Sequence, residues 1–187
     1  MATAAKRWTV DEVRALIDES RHWPRYELVD GELLVTPAPR MLHQSAVLAL
    51  AVPLRSYCEE NALGRLLTSP ADIGLEPDSI VQPDIFLVPP ATPRPREWSD
   101  VRSLRLAVEI LSPGSARHDR TVKRRLYQRN GVPEYWIVDL DARLVERWRP
   151  DDERPEILEE RLVWEPAQGT PPFVLELQAF FAGVLDE

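Results

Sequence analysis

The chain has 187 residues, 44% of them hydrophobic and 29% charged, enough for one domain with a sizeable buried core. A formal net charge of −8 argues against binding nucleic acid through the overall field, and a single cysteine, Cys58, excludes a disulfide framework or a multi-cysteine zinc site. The most apolar stretch, Ser45 to Leu54, is about half of the ~20 residues a membrane span needs. The first residues lack an apolar h-region, so no secretory leader is expected and a cytoplasmic, reducing setting is the default.

In chain order, Thr9 and Glu12 form a capping-box pattern ahead of Val13, Leu16 and Ile17, which predicts a short opening helix. Residues 26–35 read as a hairpin, because Asp30-Gly31 stands between two apolar runs. Val47, Leu50, Leu54 and Tyr57 mark one face of a helix over about 42–61, with Pro53 expected to kink or split it and Gly64 to stop it. Three strands are expected at 65–75, 81–88 and 104–111, the last two separated by a Pro-rich loop over 89–95. A basic helix is predicted over 116–130, closed by Gly131, followed by a buried strand at 134–140 and its hairpin partner at 143–149. The acidic run 151–156 reads as a solvated loop, and the chain is expected to end in a strand and an apolar helix at 177–185. This order predicts an α/β fold, a mixed sheet with helices packed against it.

The chemistry concentrates in two strands and one helix. In the strand 104–111, Leu104, Leu106, Val108 and Ile110 form one apolar face, so Glu109 points to the other with Ala107 and Leu111. A charge there costs several kcal/mol (about 3–5) unless it is paired or metal-bound. Asp84 opens the neighbouring apolar strand just after Pro83. Two carboxylates at the ends of adjacent strands make a hard-oxygen pocket suited to Mg²⁺ or Mn²⁺.

Of 23 basic residues, 21 are Arg and two are Lys, Lys6 and Lys123. Lys123 flanks the buried face of the basic helix, near Arg120, Arg124 and Tyr127, and an ammonium there is a compact charge that can place or polarise a water. A solvated basic face is the alternative reading.

The segments 26–33, His43-Gln44, 81–85, 108–115 and 119–139 together resemble the Uma-type family of endonucleases, a branch of the restriction-endonuclease-like PD-(D/E)XK superfamily. The resemblance implies a central mixed sheet flanked by helices, in a single domain over 1–187 with its core at about 25–149, preceded by an added helix and hairpin. It implies Asp84 and Glu109 as metal-binding acids, Mg²⁺ or Mn²⁺ as cofactor and DNA as substrate. Leu111 stands where the superfamily places its lysine, and Lys123 on the next helix takes that role.

Glu27 is preferred over Glu32 as an additional acid of the site; its other reading is a hairpin residue paired with Arg25. His43, near a helix start, reads as an active-site neighbour or as a satisfied polar residue, the latter preferred. Arg117, Arg120, Arg124, Arg125 and Arg129 are candidate phosphate contacts. Ser115 is expected to cap the basic helix, and Asp139 reads first as part of a turn, with an approach to the site as its alternative. A dimer is expected, with the apolar C-terminus from Leu175 to Leu185 as its interface. The resulting expectation is a metal-dependent endonuclease hydrolysing DNA phosphodiester bonds; the alternative is a non-catalytic nucleic-acid or protein-binding module that keeps the fold.

Overall fold

A computed structural model describes residues 6–20, 23–91 and 93–186. Helix α1 (Val10–Glu19) begins with the expected capping box, in which Thr9 Oγ1 accepts from the Glu12 N–H and Glu12 Oε2 accepts from the Thr9 N–H. Strands β1 (Arg25–Val29) and β2 (Glu32–Thr36) pair antiparallel. Their two-residue turn puts both Asp30 (φ 51°) and Gly31 (φ 76°) in the left-handed region, as a twist-compatible hairpin turn requires.

Helix α2 (Met41–Glu60) runs through Pro53 without a break, so of the expected kink or split the split does not occur. The carbonyl that loses its intrahelical donor to Pro53 belongs to Ala49, which lies on the exposed face where water can satisfy it. The helix also ends earlier than Gly64. Ala62 (φ 50°) takes the left-handed position, and the Leu63 and Ala62 N–H groups reach back to the carbonyls of Cys58 and Glu59 in a Schellman pair. Gly64 serves another purpose, since a Cβ there would overlap the carbonyl oxygen of Val88.

The central sheet has six strands in the order β3-β4-β5-β6-β7-β8. These are β3 (Arg65–Thr68), β4 (Ile85–Val88), β5 (Leu106–Ile110), β6 (Glu134–Asp139), β7 (Leu144–Trp148) and β8 (Glu156–Leu158). All neighbours pair antiparallel except β5 and β6, so the sheet is mixed, as expected. β3 and β4 are shorter than predicted, because the chain leaves the sheet at Ser69-Pro70 and returns through an isolated Ile73–Val81 bridge. The predicted loop over 89–95 contains residue 92, outside the described residues.

The parallel step from β5 to β6 is made by α3 (Ala116–His118), a π-helical turn (Asp119–Lys123) and α4 (Arg124–Arg129). Gly131 (φ 63°) closes α4 as expected. Ser115 does not cap α3; its Oγ accepts from the Ser112 N–H instead. β9 (Arg161–Trp164) and β10 (Phe173–Glu176) form a separate hairpin, followed by α5 (Leu177–Leu185).

One face of the sheet packs Leu106, Val108 and Ile110 of β5 against α2 and α5. The other packs Ala107 of β5 with Leu126 and Tyr127 of α4 and with Val29 and Leu34 of the first hairpin. On α5, Leu177, Phe180, Phe181 and Val184 are all buried in the first of these cores. The apolar stripe of α5 therefore packs within its own chain. Among the described residues no helix is long and apolar enough to cross a membrane.

Candidate active site

The site begins with the pairing of β4 and β5. Their register matches Ile85 with Val108 and Phe86 with Ala107, and one further step sets Asp84 opposite Glu109 on the α4 side of the sheet. Directly opposed residues lie within reach of a common ligand. Asp84 Oδ2 is held by the Ile110 N–H at 2.9 Å and by His43 Nε2 at 3.0 Å. Its Oδ1 lies 3.8 Å from Arg25 Nη1.

Behind Glu109 stands Lys123, only 3% exposed. Its Nζ lies 2.9 Å from Glu27 Oε2, 3.0 Å from Glu109 Oε1 and 3.4 Å from Asp119 Oδ1. The π-helical turn brings this about. Its N–H groups reach back five residues, the Arg124 N–H to the Asp119 carbonyl, and the widened turn aims Asp119 and Lys123 together into the interior. The Asp119 carbonyl also accepts from the Tyr135 hydroxyl at 3.0 Å. Glu27 is fixed by the Gln82 N–H at 2.7 Å, and Glu109 Oε1 accepts from the Tyr127 hydroxyl at 3.3 Å.

Three carboxylates around one buried ammonium leave an excess of negative charge. Burial, only partly offset by Lys123, holds the Glu109 carboxyl well above its ordinary range, and Asp119, Asp84 and Glu27 push it further. Burial also raises Asp119. For Lys123, burial alone would lower the ammonium, but Glu109, Glu27 and Asp119 overcome it and hold its pKa well above the usual lysine value. These carboxylates therefore favour the charged form of Lys123.

Asp84, Glu109, Lys123 and Glu27 form the floor of a cavity of about 550 Å³, with Asp119 behind them. Its walls are the segment Pro37–Arg40 before α2, the loop Ser112–Ser115 after β5 and the turn Asp139–Ala142 after β6. Trp23 and Leu42, both exposed, line its outer part, and Arg25 reaches from beside Trp23 towards Asp84.

Among the described residues, no group of three or more His, Cys, Asp or Glu is arranged as a metal cage. The donor set nevertheless suits a hard cation. Asp84 and Glu109 both line the cavity, and Asp84 Oδ1 and Glu109 Oε2 make no hydrogen bond among the described residues. Mg²⁺ is commonly held by one or two carboxylates with water completing its shell.

A family model described as a putative restriction endonuclease, Uma2, matches residues 10–178. The chain belongs to the Uma2 family. Membership supports a nuclease-like function, and the match runs from the first helix into the last. The fold is also that of a crystal structure described as a putative nuclease belonging to DUF820 from Anabaena variabilis. The two share 19% identity with a TM-score of 0.73, over 92% of this chain and 98% of the other. No curated protein matches the chain.

Within this Uma2 chain, Asp84, Glu109, Lys123 and Glu27 converge at one place. Glu27 pairs with Lys123 and not with Arg25, while Glu32 is exposed and faces His118 at 3.5 Å. His43 bonds directly to Asp84, which makes it a neighbour of the site. The arginines divide. Arg120 lines the cavity but is bonded to Glu146 at 2.6 Å and Asp139 at 2.7 Å. Arg124 packs over the Trp148 ring at 4.5 Å, and Arg129 is bonded to Asp30 and Glu76. Arg117 and Arg125 are exposed and do not line the cavity. Asp139 both makes its turn, accepting from the Ala142 N–H, and reaches the site through Arg120. Asp119 escaped the sequence reading. Its i, i+4 spacing to Lys123 was the available signal, obscured because it is the single acid among many arginines.

Proposed function

We propose that the chain is a metal-dependent endonuclease that hydrolyses phosphodiester bonds of DNA. The observation that carries this reading is the opposition of Asp84 and Glu109 on a cavity floor, with the Lys123 ammonium 3.0 Å from Glu109. Asp84 and Glu109 would hold Mg²⁺ or Mn²⁺, which when bound supplies an acidified water and charge neutralisation at the phosphate.

The remaining roles belong to the chain's own side chains. Lys123 contributes fixed positive charge where a phosphoryl oxygen gains negative charge in the transition state. Glu27 orients that ammonium, and Tyr127 orients Glu109. His43 and the Ile110 N–H fix Asp84 Oδ2, leaving Oδ1 as the oxygen turned to a ligand. Arg120 lines the wall, where it can meet a phosphate if it exchanges one of its carboxylate partners; Arg117 is available for a contact outside the cavity.

The test is incubation of the purified chain with plasmid and with oligonucleotides across Mg²⁺, Mn²⁺ and EDTA. Metal-dependent cleavage abolished in Asp84→Ala and Glu109→Ala is expected. Cleavage no higher than that of the double variant, on every substrate, refutes the reading in favour of a binding module that keeps the fold.

A further inference from the structure

We infer that the cavity receives an unpaired nucleic-acid strand, one or two nucleotides at a time, and not the face of a duplex. The inference rests on the phosphodiester reading above and specifies its substrate class.

Depth is the first argument. Asp84, Glu109 and Lys123 are 8%, 4% and 3% exposed on the floor of a cavity of about 550 Å³. That volume lies within the ~300–1,000 Å³ typical of small-ligand sites. Duplex phosphates follow the outside of a wide, stiff cylinder, whereas a single strand can bend a phosphate away from its neighbours. The walls also approach closely: a Cβ on Gly114 would lie 3.9 Å from Pro37 Cδ.

The mouth has the chemistry of a stacking site. Trp23 is 38% exposed, and the Arg25 guanidinium sits 4.5 Å from its ring, so the indole already serves as a platform for a planar group. Leu42, which lines the same cavity, is 48% exposed. Arg40, exposed and without an ion-pair partner among the described residues, adds positive charge at the same mouth. Aromatic stacking with a few cations is how proteins hold single strands with little sequence preference.

Part of the positive charge a duplex would need is already engaged. Arg120 and Arg129 are engaged by carboxylates and Arg124 by Trp148, so the basic helix presents far less positive charge than its sequence promises. Asp141 also lines the cavity and adds negative charge there that a second strand's phosphates would meet.

The experiment uses one fluorescein-labelled oligonucleotide as a single strand, a blunt duplex, and a duplex with an unpaired arm. Anisotropy titrations in EDTA read binding without turnover. The single strand and the armed duplex are expected to bind at least about tenfold more tightly than the blunt duplex. Trp23→Ala should remove about tenfold of single-strand affinity while Trp23→Phe retains it, with unchanged circular dichroism for both. Equal or tighter binding of the blunt duplex, no binding of any form, or full single-strand affinity in Trp23→Ala overturns the inference. Adding Mn²⁺ separates it from the nuclease reading. Preferential cutting of blunt duplex overturns this inference alone, whereas a single-strand preference in binding without any cleavage refutes the nuclease reading and leaves the occupant as inferred.

Discussion

The Lys123 ammonium lies 2.9 Å from Oε2 of Glu27, tying the turn before α4 to the first hairpin through a pair in which both side chains are 4% exposed. Removing the cation would strand Glu27, Glu109 and Asp119 together in the interior. Lys123→Met, which keeps length and loses charge, is expected to destabilise the fold by about 3–5 kcal/mol in urea denaturation at neutral pH. Cleavage should fall at least about a hundredfold under conditions where the variant is still folded. Retention of full activity in folded Lys123→Met would leave the lysine a purely structural role.

His43 acts at one remove from the proposed cation, through Asp84 Oδ2. Groups that orient a ligand commonly contribute ten- to a hundredfold (about 10–100-fold) to metal affinity. His43→Ala should therefore weaken Mn²⁺ binding by about that factor in calorimetry, with the fold intact. Unchanged affinity would return His43 to a packing role.

Arg129 fastens the hairpin turn to the loop before β4, with Nη2 at 2.7 Å from Asp30 and 2.6 Å from Glu76. The hydrogen bonds from Arg129, outweighing burial, hold Glu76 below its ordinary value of 4.5. A lowered folded-state pKa means that this stabilisation is fully present above 4.5 and disappears as the pH falls through the lower folded value. Glu76→Gln is thus expected to reduce stability at pH 7 by no more than about 1 kcal/mol, given the partial exposure of the pair. The gap between variant and wild type should close on acidification below pH 4.5. Thermal melts of both proteins across that range give the answer, and a gap that widens in acid would contradict it.

Cys58 sits fully buried on α2, and burial pushes its thiol up to about 11. Native protein at pH 8 should therefore resist thiol reagents and react promptly once unfolded in urea. Fast labelling of the native state would show that α2 opens locally.

Phe181 of α5 is 1% exposed in the main core. Phe181→Ala should cost about 3–5 kcal/mol. Light scattering on the same variant separates a lost core contact from a lost interface: the oligomeric state, whatever it is, should not change.

Local patterns in the chain carried much of this architecture. Alternation in 104–111 put Glu109 on the face away from Leu106, Val108 and Ile110, and the structure agrees because a strand's side-chain period leaves no other choice. Asp30-Gly31 specified a hairpin turn for a similar reason, since few residue pairs tolerate two left-handed positions in a row. The helix stop was misread: hydrogen bonding to Cys58 and Glu59 put Ala62, not a glycine, in the left-handed position. Asp119 was missed because its burial depends on a π-helical turn, which a spacing of 100° per residue does not anticipate.

The length, the charge of −8 and the two-lysine composition, all properties of the sequence alone, directed attention to Lys123 and left a basic helix in apparent conflict with an acidic chain. Tertiary structure resolved that conflict. Arg120, Arg124 and Arg129 are turned to carboxylates and to Trp148, while Glu27 and Asp119 join Lys123 and Glu109 in the interior. Backbone periodicity is a local property and can be read along the chain. Which charge meets which depends on strand register, one widened turn and the approach of distant segments, and those exist only when the chain is folded.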